Sequence, residues 1–373
     1  MSEITVTVER IEAVEPHPNA DKLEIAKVGG TQTIVPKGQY KGGDRVVYFP
    51  PYILLPGDVS DELGVAKYLK SAVWEGFRFP CRVAACRLRG APSYGFVAPI
   101  PAGLSNPVGA DVTGHYRAAK YEPPARVYRG YGGGTGEVWG GLEREPANFH
   151  RYTDIQHYRK YRNLLEPGLP VRITEKIHGT NSRVGLLKVD GEWRFYGGSH
   201  KTARKQIDPE GRLSVYWEPL QREGVLNLLT HVCNNWSEDD DPINDVIIFG
   251  ELYGPGVQDL DYGIPAGEIG WRVFDISVNG TYLGRSDLTL LCGAFGVETV
   301  PTLYAGPFHP DLIEQLTYGP TTVAGEVKSK FKGREGIVIT PLVEQQAHIG
   351  RVILKNVSAD YLDRKGATDE GEI

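Results

Sequence analysis

The stretch "TEKIHGTNS", residues 174–182, sets a lysine among side chains that do chemistry. Lys176 follows the carboxylate of Glu175 and precedes the imidazole of His178 and then Gly179. A lysine amine attacks phosphorus only after losing its proton, so a nucleophilic lysine needs burial, a second cation or a bound metal nearby. The apolar residues of this strand place Lys176 at its buried end, and the glycine lets a ligand approach the backbone. The stretch alone fits an ordinary surface lysine equally well.

The composition predicts a globular chain of two or three domains. Its 373 residues are 40% hydrophobic, which is enough for a sizeable core. The net charge of −6 argues against a protein held to nucleic acid by bulk positive charge. Any contact with nucleic acid must therefore be local.

Neither cysteine pairing nor membrane insertion is predicted. Cys81, Cys86, Cys233 and Cys292 are too few and too scattered for a disulfide framework, so we interpret them as free thiols. The N-terminus has no basic start followed by an apolar run, and no later stretch is apolar enough to span a bilayer. We expect a cytoplasmic monomer without a membrane contact.

Short runs of alternating apolar and polar residues predict a small β-barrel over residues 1–120. Within it, "PHPNADKLEIAKVGG", residues 16–30, resembles the start of the tRNA-binding type of OB domain. The resemblance implies contact with nucleic acid, to which exposed basic residues would contribute. The candidate phosphate contacts are Lys22, Lys27, Lys37, Lys41 and Arg45. Each of them also fits a solvated charge that discourages pairing at a strand edge.

The remaining chain divides into a linker and a second domain. Residues 121–149 are rich in glycine and proline, and their Tyr128, Tyr131 and Trp139 fit either stacking on bases or packing against a domain. Residues 150–373 alternate strand and helix patterns, which predicts an α+β domain with antiparallel strands. Helices are predicted over residues 157–167 and 217–235. Strands are predicted over residues 171–179, 182–189, 193–198, 245–253, 271–278, 336–341 and 351–356.

Five blocks follow one another in the second domain: "EKIHGTN", "IIFGELYGPGVQDLDYG", "RVFDI", "EGIVITP" and "RVILKN". Their order and letters resemble the ATP-dependent RNA ligases, especially the phage double-strand-repair type, over about residues 150–360. The resemblance implies an antiparallel-sheet nucleotidyltransferase domain of an ATP-grasp-like ligase. An OB-like domain in front of it is similar to the nick-sealing RNA ligases with an N-terminal OB domain.

The resemblance also implies a reaction. Lys176 would attack the α-phosphorus of ATP, form lysyl-AMP and release pyrophosphate, with Mg²⁺ or Mn²⁺ as the divalent cation. The AMP would pass to the 5′-phosphate of RNA, and attack by a 3′-OH would seal the strand and release AMP. The implied partner is RNA or a nicked duplex that contains RNA.

The resemblance assigns roles residue by residue. Lys176, Glu335 and Lys355 would be catalytic, with Glu335 holding the metal ion and Lys355 also reaching the α-phosphate. Glu251 would contact the ribose and Phe274 would stack on adenine, although a solvated strand-end glutamate and a core aromatic are the alternatives. The other implied nucleotide contacts are Glu175, His178, Gly179 and Asn181, and for His178 and Asn181 the alternative is local hydrogen bonds that hold the turn.

Two places depart from the phage-type pattern. Thr340 and Val357 stand where that type has lysines, so the phosphate contacts must be supplied differently, and the basic run that ends at Arg334 is one source. The family also has an arginine after the nucleophile, for which "YGGSHKTAR" offers His200, Lys201 and Arg204. We favour Arg204 as the residue that binds RNA or phosphate.

Two other functions remain open. One is a DNA ligase of unusual domain order, but those enzymes usually carry aspartate where this chain has His178. The other is a non-catalytic nucleic-acid-binding protein with a ligase-like core. The joint presence of Lys176, Glu251, Glu335 and Lys355 favours an enzyme.

Overall fold

The computed structural model describes residues 4–74, 77–104, 107–121, 141–207, 211–236, 242–255, 257–258, 260–323 and 331–362. These residues form two compact units, 4–121 and 141–362, both built mainly of antiparallel strands. Residues 122–140, with Tyr128, Tyr131 and Trp139 of the predicted linker, lie outside the described residues. None of the described helices is long and apolar enough to cross a membrane.

The N-terminal unit contains eleven described strands and one α-helix. The strands are β1 (Thr7–Pro16), β2 (Leu23–Val28), β3 (Thr31–Pro36), β4 (Arg45–Phe49), β5 (Ile53–Leu54), β6 (Lys70–Trp74), β7 (Phe77–Arg82), β8 (Ala85–Leu88), β9 (Ala91–Tyr94), β10 (Phe96–Pro99) and β11 (Ala119–Lys120). Helix α1 spans Gly57–Glu62, and a 3-10 helix follows at Ala66–Tyr68.

The main sheet of this unit has the order β10-β4-β1-β2-β3, and a second sheet has the order β11-β5-β7-β6. A β-bulge between Ile11 and Ala13 interrupts β1 between its pairing with β4 and its pairing with β2. Such a bulge bends a strand, which a small closed sheet requires. The buried core beneath the main sheet contains Ile11, Ala26, Val28, Val35, Val46 and Tyr48.

The C-terminal unit contains the other strands and helices. Its strands are β12 (Gln156–His157), β13 (Pro170–Lys176), β14 (Thr180–Val189), β15 (Glu192–Ser199), β16 (Ala203–Arg204), β17 (Asp245–Tyr253), β18 (Gly270–Val278), β19 (Thr281–Tyr282), β20 (Thr302–Pro307), β21 (Gly336–Pro341), β22 (Gln346–Ala347), β23 (Gly350–Arg351) and β24 (Leu354–Val357). Its helices are α2 (Glu223–Asn235), α3 (Arg285–Ala294), α4 (Asp311–Thr317) and α5 (Ala359–Leu362).

Two sheets of this unit face each other, with the orders β12-β24-β21-β13-β20 and β16-β15-β14-β17-β18-β19. Val338 of the first sheet and Ile353, which directly precedes β24, pack in one core cluster with Leu187, Ile247 and Phe249 of the second sheet. The other face of the second sheet is covered by α2 and α3. In α2, Val225, Leu228, Leu229 and Val232 are buried, which is the spacing of one helix face.

The structure tests the predicted elements of this unit. The α+β class with antiparallel sheets is confirmed, and the helix predicted over residues 217–235 appears as a 3-10 helix at Val215–Gln221 followed by α2. The helix predicted over residues 157–167 is wrong, because the chain there forms only two 3-10 turns, Tyr158–Lys160 and Arg162–Leu164. Pairing of the preceding β12 with β24 fixes the local backbone, and tertiary context of this kind outweighs helix propensity.

Candidate active site

Strand β13 presents every second residue to the space between the two sheets. Side chains two apart along a strand share a face, so Arg172, Thr174 and Lys176 point the same way. Across the sheet, Thr174 pairs with Val338 and Val338 pairs with Lys355. Directly opposed residues of antiparallel strands share a face, so Lys355 lies on the same face as Lys176. Lys355 is almost completely buried there.

The turn after Lys176 carries the chain from the first sheet to the second. A side chain at Gly179 would place its Cβ 2.0 Å from the carbonyl oxygen of Leu252, so only glycine fits. Strand β14 then begins at Thr180, and Asn181 pairs across to Glu251 on β17. The turn therefore sets Lys176 of one sheet opposite Asn181 and Glu251 of the other.

Phe274 occupies a β-bulge in β18. Phe249 pairs with Asp275 and Gly250 pairs with Val273, which leaves Phe274 as the extra residue. Bulges turn side chains away from the regular alternation and are frequent beside functional sites. The ring of Tyr152 meets that of Phe274 edge to face, with centroids 4.8 Å apart and planes at 65°.

Most of these residues line one pocket. The first sheet contributes Arg172, Thr174, Lys176, Val338 and Thr340, the second contributes Asn181, Glu251 and Phe274, and Ile353 joins them from just before β24. The buried Oδ1 of Asn181 has no hydrogen-bond partner among the described residues, which marks it as an acceptor for a ligand. An aromatic face, aliphatic walls and a few convergent polar groups are typical of a site for a small organic molecule.

Lys176 and Glu335 form the charged pair of the site. The Nζ of Lys176 donates to Oε1 of Glu335 at 2.5 Å, and the Glu335 side chain has no exposed surface while that of Lys176 is 17% exposed. Glu335 stands beside Gly336, which pairs with Lys176 across the sheet. An ion pair favours the ammonium form, whereas nucleophilic attack requires the amine, so Lys176 must give up its proton before it can react.

The carboxylate of Glu335 is also a possible ligand for a metal ion. Among the described residues, no group of three or more histidine, cysteine, aspartate or glutamate side chains could hold a metal ion. One buried carboxylate beside a pocket fits Mg²⁺ or Mn²⁺, because such ions are often bound by one or two carboxylates together with water and substrate phosphates. Glu335 could hold such an ion, with the remaining ligands supplied by the substrate and by water.

Two predicted nucleotide contacts are held by protein groups. Glu175 is buried, and its carboxylate accepts hydrogen bonds from both hydroxyls of Thr321 and Thr322 and from the amide of Thr322. His178 is also buried, with its Nδ1 2.7 Å from the hydroxyl of Tyr361 and its amide donating to the hydroxyl of Tyr262. Both residues fix the backbone on either side of Lys176.

A buried charge network supports the wall that carries Phe274. The carboxylate of Asp275 accepts hydrogen bonds from Arg285, Arg351 and Tyr152 at 2.8, 2.6 and 2.8 Å. Burial raises the pKa of Asp275, but the charges of Arg285 and Arg351 outweigh burial, and the pKa lies below its ordinary value. Arg285 also donates to the carbonyl oxygen of Phe274 at 2.9 Å, so the network holds the bulge from behind.

The pocket residues that the sequence did not predict include Tyr152, Arg172 and Arg285. Arg172 lies four residues before Lys176 on one strand, so the alternation of side chains was a usable signal. Tyr152 and Arg285 come from a loop and from the start of α3, and nothing in the sequence marks them. Burial, and then the charge of Arg285, lowers the pKa of Arg172.

Arg204, the predicted RNA contact of this unit, is not among the residues that line the pocket. Arg204 is in the edge strand β16, with its guanidinium over the ring of Tyr216 at 5.8 Å. Of its two rivals, Lys201 is exposed, and burial lowers the pKa of His200 to about 4. In the N-terminal unit, the amide of Lys37 donates to the carbonyl oxygen of Lys22, just before β2 begins. Arg45 pairs with Arg10 of β1, which lies near the residue that ends β2. Lys22, Lys37 and Arg45 are all exposed.

Comparison with known proteins identifies the fold and the family. The RNA ligase family model matches residues 169–357, which is just over half of the chain and includes all the pocket residues from Arg172 to Ile353. This chain belongs to the RNA ligase family. A family model described as an OB-fold domain matches residues 5–100 of this chain. The search of curated proteins found no match to this chain.

Solved structures similar to this RNA ligase family member come from Naegleria gruberi RNA ligase. A mutant without ligand is 23% identical with a TM-score of 0.72, over 97% of this chain and 98% of that chain. A mutant with ATP and Mn is 22% identical with a TM-score of 0.72, over 96% and 98%. A mutant with AMP and Mn is 23% identical with a TM-score of 0.70, over 96% and 98%. The similarity confirms the fold: an N-terminal OB-fold domain and a ligase catalytic domain.

Proposed function

We propose that this RNA ligase family member uses ATP and a divalent cation to join a 5′-phosphate RNA end to a 3′-OH, through lysyl-AMP formed on Lys176. The observation that carries the proposal is the contact between Lys176 and Glu335 at the wall of a pocket that also holds Phe274, Asn181 and Glu251. The similar Naegleria gruberi RNA ligase was solved with ATP and Mn and with AMP and Mn, which supports a nucleotide and a metal ion as ligands of this chain.

The nucleotide would lie with its base against Phe274 and its phosphates toward Lys176. Phe274 offers a ring face for stacking, and the Glu251 carboxylate suits the two hydroxyl donors of a ribose. Thr174 and Lys176 share one face of β13, and both line the pocket. Lys355 lies on the same sheet face, where a buried cation would stabilise charge that develops on the α-phosphate.

The first step exchanges one bond at phosphorus for another. The Nζ of Lys176 forms a bond to the α-phosphorus while the bond from that phosphorus to the bridging oxygen breaks, and pyrophosphate leaves with its electron pair. Lys176 gives up a proton, and Oε1 of Glu335 already lies at hydrogen-bond distance to take it. A divalent ion held by Glu335 would supply charge neutralisation on the phosphate oxygens.

The later steps use the same alignment. An oxygen of the RNA 5′-phosphate attacks the α-phosphorus and breaks the bond to Lys176, and the RNA 3′-OH then attacks the 5′-phosphorus and expels AMP. All three steps are substitutions at phosphorus, for which the protein supplies alignment and positive charge. We propose a nicked duplex as the substrate, held by Arg204 on one unit and the OB fold on the other.

The test is covalent labelling. The protein is incubated with α-labelled ATP and Mg²⁺, alongside Lys176→Ala and, as a matched control, Lys188→Ala, which changes an exposed lysine of the same unit. We expect label on the wild type and on Lys188→Ala but none on Lys176→Ala. An unlabelled wild type, or equal labelling of Lys176→Ala, would show that the mechanism is wrong. A series of nicks with ribose or deoxyribose at the 3′-OH end then separates RNA ligation from DNA ligation.

A further inference from the structure

The hairpin of β8 and β9 presents two arginines at an unusual turn. Leu88 pairs with Ala91, which leaves Arg89 and Gly90 as a two-residue loop. Both have positive φ, 50° and 92°, as the tight turns that join two strands require. Glycine adopts this conformation freely, but arginine rarely does. Arg87 and Arg89 are exposed on the hairpin, with the apolar Leu88 38% exposed between them.

Two side chains of the "PHPNA" stretch hold this hairpin in place. The Nδ1 of the buried His17 accepts from the amide of Asn19 at 3.0 Å, so its Nε2 carries the hydrogen and donates to the carbonyl oxygen of Leu88 at 2.9 Å. The side-chain amide of Asn19 donates to the carbonyl oxygen of Arg89 at 3.2 Å. Both contacts go to the hairpin backbone, and within the same turn Nη1 of Arg87 donates to the carbonyl oxygen of Gly90 at 2.7 Å.

The second strand of the hairpin is fixed to β3. The side chain of Gln32 donates to the carbonyl oxygen of Pro92 at 2.8 Å, and the amide of Ile34 donates to the hydroxyl of Ser93 at 3.0 Å. The hairpin is therefore held along β9 and at its tip. A rigid element loses little conformational freedom when its charges meet a ligand.

Two exposed lysines, Lys22 and Lys37, are connected through the backbone to Asn19, which contacts the tip. Lys22 lies three residues after Asn19, and its carbonyl oxygen accepts from the amide of Lys37 at 3.0 Å. Asp21 and Glu24 are the acidic neighbours, and a carboxylate oxygen of Glu24 accepts from the amide of Gly38. From residue 63 to residue 110, Glu75 is the only acidic residue of the sequence. This basic character stands out in a chain with a net charge of −6.

We propose that the tip surface, defined as Lys22, Lys37, Arg87 and Arg89, binds the phosphate backbone of the RNA substrate, and that His17 and Asn19 are its positioning residues. The inference rests on the proposed function, because it names the surface that holds the RNA to be joined. Local positive charge on a rigid strand-turn element complements a polyanion. The contacts of His17 and Asn19 with two carbonyl oxygens of the hairpin give the "PHPNA" stretch a positioning role that is not catalytic.

The test measures binding of the full chain to a fluorescent nicked RNA duplex by anisotropy, without ATP, at several salt concentrations. Arg87→Ala/Arg89→Ala is expected to bind about five- to tenfold more weakly, and its salt dependence should be shallower by about one to two counterions. The matched control is Arg10→Ala/Arg78→Ala, which removes two exposed arginines elsewhere in the same unit and should change affinity less than about twofold. Unchanged affinity of the hairpin variant, or equal loss in the control, would overturn the proposal.

Two further measurements complete the test. Asn19→Ala keeps both arginines, and we expect weaker RNA binding at an unchanged unfolding midpoint; wild-type affinity would remove its positioning role. The loss in the hairpin variant should be the same for two unrelated RNA sequences, because phosphates carry no sequence information, and a sequence-dependent loss would contradict a backbone contact. Labelling of the wild type by ATP is followed separately, so a failure of the nucleotide mechanism is distinguishable from a failure of this surface.

Discussion

Lys176 and Glu335 are 159 residues apart in the chain, and their side chains meet at 2.5 Å beside the pocket. The contact arises because Lys176 ends β13 and Gly336, its cross-strand partner, begins β21 directly after Glu335. The register between β13 and β21 therefore determines the positions of both side chains. This single contact brings the proposed nucleophile, a proton acceptor and a hard oxygen ligand together.

The first prediction concerns Glu335. Replacing it with alanine should suppress covalent labelling by ATP by at least about 100-fold. The variant loses both the acceptor for the Lys176 proton and the carboxylate that would hold the metal ion. Raising the Mg²⁺ concentration should not restore labelling. The control is Glu298→Ala, which removes a 60% exposed carboxylate that pairs with Arg272 in the same unit. Labelling of Glu335→Ala at the wild-type rate would remove Glu335 from the mechanism.

The second prediction concerns the bulged Phe274. Stacking of a base on an aromatic ring contributes about 1–3 kcal/mol, so Phe274→Ala should raise the KM for ATP in the labelling assay roughly five- to 150-fold. Phe274→Tyr should stay near the wild type, because it keeps the ring. Phe195→Ala, which removes a ring 37% exposed and not among the pocket-lining residues, is the control. An unchanged KM in Phe274→Ala would mean that the ring serves only packing.

The third prediction concerns the buried Asp275. Replacing it with asparagine leaves two buried arginines without their shared carboxylate, and breaking a buried ion pair costs about 3–5 kcal/mol of unfolding free energy. Since the folded pKa of Asp275 lies below its ordinary value, its stabilisation is complete above the unfolded pKa and is lost as the pH falls through the folded pKa. The stability gap between wild type and variant should therefore be constant from about pH 5 to 8 and shrink below about pH 4.

Urea unfolding at pH 7, 5 and 3.5 measures this gap. Other carboxylates titrate in both proteins and cancel in the difference. Asp287→Asn, at an exposed aspartate of α3, is the control and should show no gap at any pH. A gap that widens in acid would mean that Asp275 is protonated in the folded protein.

The sequence predicted the strands that carry the site because their signal is local. β13, β14, β17, β18 and β21 are short apolar runs bounded by turns, and each appears close to its predicted position. The OB-like barrel over the N-terminal residues and the RNA ligase family resemblance are confirmed in the same way. The roles of the individual site residues stay predictions until the variants are measured.

What the sequence did not predict depends on contacts between distant parts of the chain. Arg285 begins α3 and reaches the pocket only because Asp275 and Phe274 of β18 hold its guanidinium. The extra residue that turns Phe274 toward the pocket is a mismatch between two strands, and neither strand shows it alone. The "RVILKN" block was predicted as one strand, but it is divided into β23 and β24, with Val352 and Ile353 between them in the core.

The last prediction addresses the lysine that Thr340 replaces. Thr340 pairs directly with Arg172 across the sheet, and both line the pocket with Arg285. We infer that Arg172 supplies the positive charge that a lysine at position 340 would bring, so restoring the lysine adds a cation beside two buried ones. Thr340→Lys should lower the unfolding free energy by about 1–3 kcal/mol and weaken labelling. Thr281→Lys, in the exposed edge strand β19, should change neither.

A double-mutant cycle decides whether the two positions share one charge. Arg172→Met removes the neighbouring guanidinium, so Thr340→Lys should be better tolerated in the Arg172→Met background than in the wild type. The expected coupling is about 0.5–3 kcal/mol in unfolding free energy, with the double variant more stable than the sum of the single changes predicts. Labelling should follow the same order. Additive effects would mean that Arg172 and a lysine at 340 occupy independent sites, and that the missing lysine is replaced elsewhere.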